Sequence, residues 1–511
     1  MTTSPALMTG DDYLESLRDD REVWAYGERV ADVTTHPAFR NSARSVARLY
    51  DALHDPAYQD RLLVATDTGS GGLTHPLFKA ARTKDDLRAS RDACRTWAEL
   101  TFGWMGRTPD YKAALLGSIG ADPEWFGEFA PNATHWYRTV QEQVRYLGHA
   151  IVHPPVDRHL PSSDVEDVFV HVVRETDNGI VVRGAKVVAT ASALTHDIFI
   201  AHAGVSPVAK REFALAFIAP TSAPGVKLLA RASYERTAGV GASPFDYPLS
   251  SRLDENDSVL VFDDVEIPWE NVLIYDLDRA NVFFEAVDWS SRAMLQSATR
   301  FLVKLEFLAG LTSKALDVKG GAQAPPVKAQ FGEILVYRNT VAGLIDGMIE
   351  SAQPHANGRS VVPNREYALA YTSLAPNFYE RIRVIINTIV SSGLIYLNSH
   401  AVDFETPEIR PYLDKYLRGS GGLTALDRSK TMKLLWDAVG SEFGGRHALY
   451  ERNYFGSPDL HHWRSAMAAE TDGSLGRYRD LVESFMSDYD LSGWTAPDLV
   501  NPTDISTVAR P

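Results

Sequence analysis

Hydropathy changes period twice along this chain, and that change limits its fold more than any other feature. Residues 1–147 carry apolar side chains at three- and four-residue spacing, as in RSVARLYDALHD (44–55) and KDDLRASRDACRTWAELTFGWM (84–105). That is the period of amphipathic helices. From 148 to 280 the pattern becomes short β-rich runs: DVFVHVV, GIVVRGAKVVAT, HDIFIAHA, EFALAFIAP and DSVLVFDDVEIP. Turn residues such as Asp177-Asn178-Gly179 and Ala223-Pro224-Gly225 punctuate them. Strands at this spacing predict a barrel or sandwich. From 281 the helical period returns over 281–315, 327–352, 364–402 and 424–455, four long segments that predict a bundle. The expected domains are therefore an N-terminal helical domain (1–147), a central β domain (148–280) and a C-terminal helical bundle (281–511) with an extended tail from about 493.

Composition narrows the function. Of 511 residues, 66 are acidic and 51 basic, giving a net charge of −15. That balance argues against nucleic acid or an anionic membrane as the main partner. The single cysteine, Cys94, excludes an intrachain disulfide, a zinc site built on several thiolates and an iron–sulfur cluster held by this chain's cysteines. One thiol in so long a chain suits a reducing compartment. The acidic N-terminus lacks an apolar signal core, and no apolar run reaches the ~18 residues of a membrane span. A cytoplasmic protein is expected. Walker A, HExxH and GxSxG motifs are absent. Gly239-Val240-Gly241 and Gly419-Ser420-Gly421-Gly422 read as turns rather than nucleotide loops, so a nicotinamide site is not expected. His461-His462 point in different directions and read as packing or surface residues, so no metal site is expected.

Four stretches could carry chemistry. In GWMGRTPDY (103–111), Thr108 reads as an N-cap and Pro109 as the first helical residue. Arg107 then stands just before a helix N-terminus, where anions are favoured, with Tyr111 in the first turn. Together they could hold a phenolate or a peroxide; the plain alternative is a capped helix start with a surface arginine. RYLGHAIVHPPVDR (145–158) crosses the helical-to-β boundary, where clefts form, and carries His149 and His153. A lone histidine there is more often a satisfied core residue. GAKVVATAS (184–192) ends in Thr190 and Ser192, hydroxyls able to donate to a flavin ring or simply alternate along a strand. GSEFGGRHALYER (440–452) offers Gly444-Gly445 for close backbone approach and Arg446 for a pyrophosphate, or a glycine-hinged helix start.

The α–β–α order matches the α+β, acyl-CoA dehydrogenase-like flavoprotein architecture. Five strings in one order, GRTPDY, the HAIV…PP…DR segment, GAKVVATA, DYPLSSRLDENDSVLVFDDVEIPWENV (246–272) and GSEFGGRHALYER, extend the match over nearly the whole chain. The chain thus resembles the oxygenase component of the 4-hydroxyphenylacetate 3-monooxygenase family. Its opening looks closer to antibiotic-pathway members that act on carrier-bound tyrosine or chlorinated β-tyrosine units in enediyne biosynthesis.

The resemblance implies a homotetramer that takes FADH2 from a separate reductase and uses O2. It implies hydroxylation of a phenol ortho to its hydroxyl through a flavin C4a-hydroperoxide. By motif it places Arg107, Tyr111 and His149 around the phenol and the flavin edge, with His149, at a reference pKa near 6.5, as proton acceptor. Pro155, Val156, Asp157, Arg158, Thr190, Ser192, Phe443, Gly444, Gly445 and Arg446 would contact the flavin. The loop with Val205 and Ser206 would read the substrate's tail, and Lys210 and Arg211 could form a basic patch for an acidic carrier. Two other readings compete: an acyl-CoA dehydrogenase-type flavoprotein, which needs a catalytic carboxylate, and a non-catalytic flavin-binding scaffold.

Overall fold

A computed structural model describes residues 7–157, 159–160, 164–202, 207–454, 456–491, 493–496 and 498. Most of the expected tail, together with Arg158, Val205 and Ser206, lies outside the described residues.

The helical N-terminal region is built around α1 (Lys84–Leu100), α2 (Pro109–Ala121) and α3 (Ala130–Gln143). Helix α1 starts with a capping box: the Thr83 hydroxyl accepts from Asp86 N, and the Asp86 carboxylate accepts from Thr83 N at 2.9 Å. Helix α2, PDYKAALLGSIGA, has almost no polar face and is buried nearly all round between α3 and the bundle.

Ten strands form the β layer: β1 (Glu22–Ala25), β2 (Glu28–Val30), β3 (Leu147–Ala150), β4 (His171–Glu175), β5 (Gly179–Thr190), β6 (Asp197–Ala201), β7 (Leu215–Pro220), β8 (Val226–Ala230), β9 (Asp257–Pro268) and β10 (Val272–Tyr275). They make a six-stranded sheet in the order β2-β1-β8-β9-β5-β4 and a four-stranded sheet in the order β10-β7-β6-β3. The pairs β1–β8 and β3–β6 are parallel and the rest antiparallel. The β1–β2 hairpin lies inside the stretch expected to be helical. Three- and four-residue strands are too short to imprint a period on their surroundings, and the hairpin is held by pairing with a strand two hundred residues away.

The bundle consists of α4 (Trp289–Lys319), α5 (Pro325–Glu350), α6 (Arg365–Val390) and α7 (Ala425–Val439), followed by α8 (Glu442–Arg452), α9 (Pro458–Thr471) and α10 (Ser474–Met486). Two expected helices are interrupted. The 281–315 segment breaks at Asp288, which adopts φ +53°, so that α4 starts at Trp289. The 424–455 segment breaks at Gly440-Ser441, where the Ser441 hydroxyl caps α8 by accepting from Gly444 N. The apolar run 383–397 leaves the helix at Ser391, φ +57°. No helix among the described residues is long and apolar enough to cross a membrane.

Candidate active site

Strand β3, the first turn of α2 and the start of α4 meet where the helical and β layers join, and α8 closes the other side. The loop feeding α2 lies tightly on the bundle. A Cβ on Gly103, at φ +72°, would fall 2.5 Å from Lys304 N, and one on Gly106 would fall 2.1 Å from the Tyr450 hydroxyl oxygen. The loop thus delivers Arg107 inward. Its backbone N–H donates to Glu255 Oε1 at 2.5 Å, and its carbonyl accepts from the Tyr146 hydroxyl. Thr108 occupies the N-cap position as expected, but its hydroxyl donates to Asp110 Oδ1 at 2.6 Å instead of capping the helix.

The Arg107 guanidinium is sandwiched between aromatic faces, 4.0 Å from the ring centroids of both Tyr111 and Tyr454 and 5.2 Å from Tyr450. Its Nη2 donates to the Tyr454 carbonyl at 3.3 Å. Its Nε and Nη1 are buried with no partner among the described residues. Burying a charged donor unpaired is costly, so this cage is built for something that completes it. Tyr111 leads on to the rest of the chamber: its ring centroid is 5.6 Å from His149 and 6.5 Å from Trp289.

His149 projects from β3, beside Phe199 in the parallel register with β6, and is buried. Burial, then the positive charges of Lys112 and Arg107, hold its pKa well below the ordinary value. The expectation drawn from the reference value therefore changes: the imidazole is neutral and hard to protonate, a hydrogen-bonding group more than a resting base. Lys112 follows Tyr111 on α2. Its Nζ is buried without a partner among the described residues, 4.2 Å from the Trp289 ring and 4.6 Å from the Tyr111 ring.

The residues expected to face a flavin fall into three groups. Thr190 ends β5 and donates to Asp257 Oδ1 at 2.6 Å. Ser192 follows a left-handed Ala191 (φ +58°), and its hydroxyl is buried without a partner among the described residues, as are Asn256 Oδ1 and Ser258 Oγ on the adjoining chain segment. Arg446 on α8 reaches the same place, donating from Nη2 to Asp257 Oδ1 at 2.8 Å and from Nε to Oδ2 at 3.2 Å. It also donates to the Glu255 carbonyl at 3.3 Å. Its charge is thus met by Asp257, whose carboxyl it holds far below the usual range against the opposing effect of burial. Phe443 packs in the core against Trp104 and His447. Gly444 makes room for the end of α7, since a Cβ there would lie 2.8 Å from the Ala438 carbonyl oxygen, while Gly445 faces open space. Pro155, Val156 and Asp157 lie further off on a surface loop. There His153, upstream of Pro155, pairs its Nε2 with His202 Nδ1 at 2.9 Å.

An arginine caged by tyrosines, a buried neutral histidine and a belt of orphaned hydroxyl and amide groups lie along one seam between sheet and bundle. The model described as 4-hydroxyphenylacetate 3-hydroxylase N terminal matches residues 9–274, and its C-terminal counterpart matches 280–486. The chain belongs to this family. It is a flavin-dependent monooxygenase of the kind that forms the oxygenase component of a two-component system.

Three relatives are nearly equidistant from this hydroxylase. It is 52% identical to the 4-nitrophenol 2-monooxygenase oxygenase component of Rhodococcus sp., covering 98% of this chain and 96% of the relative. It is 51% identical to the 4-hydroxyphenylacetate 3-monooxygenase oxygenase component of Pseudomonas aeruginosa, covering 98% and 97%. It is also 51% identical to a Streptomyces globisporus monooxygenase of a carrier-protein-bound 3-amino-3-(3-chloro-4-hydroxyphenyl)propanoyl group, covering 96% and 93%. A solved 4-hydroxyphenylacetate 3-monooxygenase oxygenase component, complexed with FAD and 4-hydroxyphenylacetate, superposes with a TM-score of 0.87 at 34% identity over 94% of this chain and 99% of that one. An archaeal 4-hydroxybutyryl-CoA dehydratase shares the fold alone, with a TM-score of 0.84 at 20% identity over 95% of this chain and 96% of that one.

The sequence reading missed Lys112, Glu255, Asp257, Trp289, Tyr450 and Tyr454 as site residues. Glu255 and Asp257 stand inside a string already singled out, at LDENDSVL, Tyr450 inside LYER, and Lys112 one residue past GWMGRTPDY. What was missing was the pairing of strings far apart in the chain.

Proposed function

We propose that this hydroxylase inserts an oxygen atom ortho to the hydroxyl of a free phenol, using dioxygen and reduced FAD delivered by a separate reductase. The observation that carries the reading is Arg107: a buried cation in a cage of tyrosines, with two donors that find no partner among the described residues. A phenolate oxygen satisfies those donors and supplies the missing charge. The Tyr111 hydroxyl and the neutral His149 ring complete the grip on that oxygen and orient the ring. The flavin, when bound, supplies the activated oxygen. Ser192, Thr190 and the orphaned groups of Asn256 and Ser258 would hold its ring, and their unpaired state fits such a ligand. Gly445 leaves backbone accessible beside them, Phe443 and Gly444 fix the start of α8, and Arg446 positions Asp257. Burial of the whole seam keeps water from the reacting groups.

The basic patch that would dock a carrier-bound substrate is offset by neighbouring carboxylates. Arg211 donates to Glu175 at 2.9 Å, and Lys210 lies 3.8 Å from Glu166 and 4.0 Å from Glu212. The patch is neutralised, and the net charge of −15 repels an acidic carrier. A dehydrogenase reading needs a carboxylate base, and the carboxylates of the seam, Glu255 and Asp257, are engaged with the Arg107 backbone and Arg446. We further propose a homotetramer, supported by the apolar face of α10, where Leu481, Val482 and Phe485 are exposed.

Purified protein with NADH and oxidised FAD should form no product, and any efficient flavin reductase should restore hydroxylation. Sustained NADH-driven turnover by this chain alone would contradict the two-component reading, and a stable monomer in light scattering would contradict the tetramer.

A further inference from the structure

Helix α2 is buried nearly all round, yet it carries a lysine three residues after its start at Pro109. Lys112 is 1% exposed. No carboxylate, carbonyl or hydroxyl accepts from its Nζ among the described residues. Its surroundings are the faces of Trp289 at 4.2 Å and Tyr111 at 4.6 Å, with His149 and Arg107 close enough for their charges to register on one another. Among the described residues, the charge that registers on Lys112 is the positive one of Arg107. A structural lysine in a protein interior is paired; Lys304, for example, is held by Glu451 at 2.8 Å. Lys112 has no such reason to be inside. It does share a chamber with the three residues that would hold the substrate's hydroxyl.

We propose that Lys112 is a further catalytic residue, the amine that takes the proton of the bound phenol and then pairs with the phenolate. This rests on the phenol-hydroxylase reading above. In the step, the phenol O–H bond breaks, its electron pair stays on oxygen, and the proton forms a new N–H bond on Nζ. No oxidant or reductant is consumed. The transfer leaves Arg107 and the new ammonium flanking the phenolate oxygen, and the anionic ring is the more nucleophilic partner for an electrophilic oxygen. Burial and the charge of Arg107 hold the lysine's pKa well below its ordinary value, which favours the free amine. Burial and the charge of Arg107 depress His149 as well, which makes its ring a poor proton acceptor.

The test uses anaerobic protein loaded with reduced FAD and 4-nitrophenol, whose anion has its own visible band. Titration with pH gives the apparent pKa of the bound phenol. In the wild type it should lie below that of free 4-nitrophenol. In Lys112→Met, of similar volume and no charge, it should rise by about one to three units, the effect of losing one close positive partner. Lys112→Arg should keep the anion bound but release a proton to the buffer on binding, because guanidinium cannot accept one. Should Lys112→Met fail to fold, Lys112→Gln carries the same expectation. Bound 4-nitrophenol that ionises alike in wild type and Lys112→Met would overturn the proposal and leave the hydroxylase reading standing. Failure of the wild type to bind phenols at all would overturn both.

Discussion

Replacing Arg107 by lysine keeps the charge and removes the shape. The guanidinium touches two aromatic faces at 4.0 Å each, and a buried cation–π contact contributes about 2 kcal/mol. An ammonium can sit over one face, not between two, so about one such contact is lost. The planar fork also presents Nε and Nη1 together to the ligand, and a point donor replaces both. Losing one charge-assisted hydrogen bond costs about 1.5–3 kcal/mol. The sum, about 3.5–5 kcal/mol, corresponds to a fall in kcat/KM of about 400- to 5,000-fold. The assay supplies FADH2 through a reductase and measures hydroxylated product and hydrogen peroxide side by side. Arg107→Lys should shift the balance to peroxide, with a loss of thermal stability no larger than that of one cation–π contact, since the buried charge is kept. Activity and coupling within about threefold of wild type would show that the fork does not hold the phenol.

Two further predictions concern stability. Glu451 accepts from Arg300 at 2.9 Å and from Lys304 at 2.8 Å, all three buried. Glu451→Gln strands two buried cations and should cost about 3–5 kcal/mol, whereas Lys304→Met leaves the Arg300 pair intact and should cost far less. Equal losses of melting temperature would refute this. His75, stacked on Trp97 at 4.2 Å, and His196, which accepts from Tyr146 N at 2.9 Å, are buried neutral rings with pKa values pushed down to about 3, mainly by burial. Between the unfolded value near 6.5 and 3, the unfolded chain binds more protons, so stability falls as pH drops, by about 2 kcal/mol per ring at pH 5. His75→Phe keeps the stack and should flatten the dependence of melting temperature on pH in that window; an unchanged slope would contradict it.

Much of this molecule was legible before any coordinates. The runs GIVVRGAKVVAT and DSVLVFDDVEIP became strands over the residues read for them, 179–190 and 257–268, because dense β-branched runs between turn residues leave little else. The break at Gly440-Ser441 was not legible, because the helical period continues through it and the capping hydroxyl satisfies the new start. In the site, Arg107, Tyr111 and His149 do meet, since each was tied to a local signal, a helix start or a domain seam. The tie between Arg446 and Asp257 spans 189 residues and has no local signature. Lys112 was the readable omission: α2 is apolar all round, so a lysine within it had to be buried.

The source of the inserted oxygen tests the central claim most directly. The protein should be mixed anaerobically with reduced FAD and a simple phenol such as 4-hydroxyphenylacetate or 4-nitrophenol, then exposed to oxygen-18 gas in ordinary water. The account predicts a catechol carrying one heavy oxygen ortho to the original hydroxyl, formed in a single turnover without NADH. Hydrogen peroxide with no catechol from any phenol offered, or a catechol whose new oxygen comes from water, would contradict it.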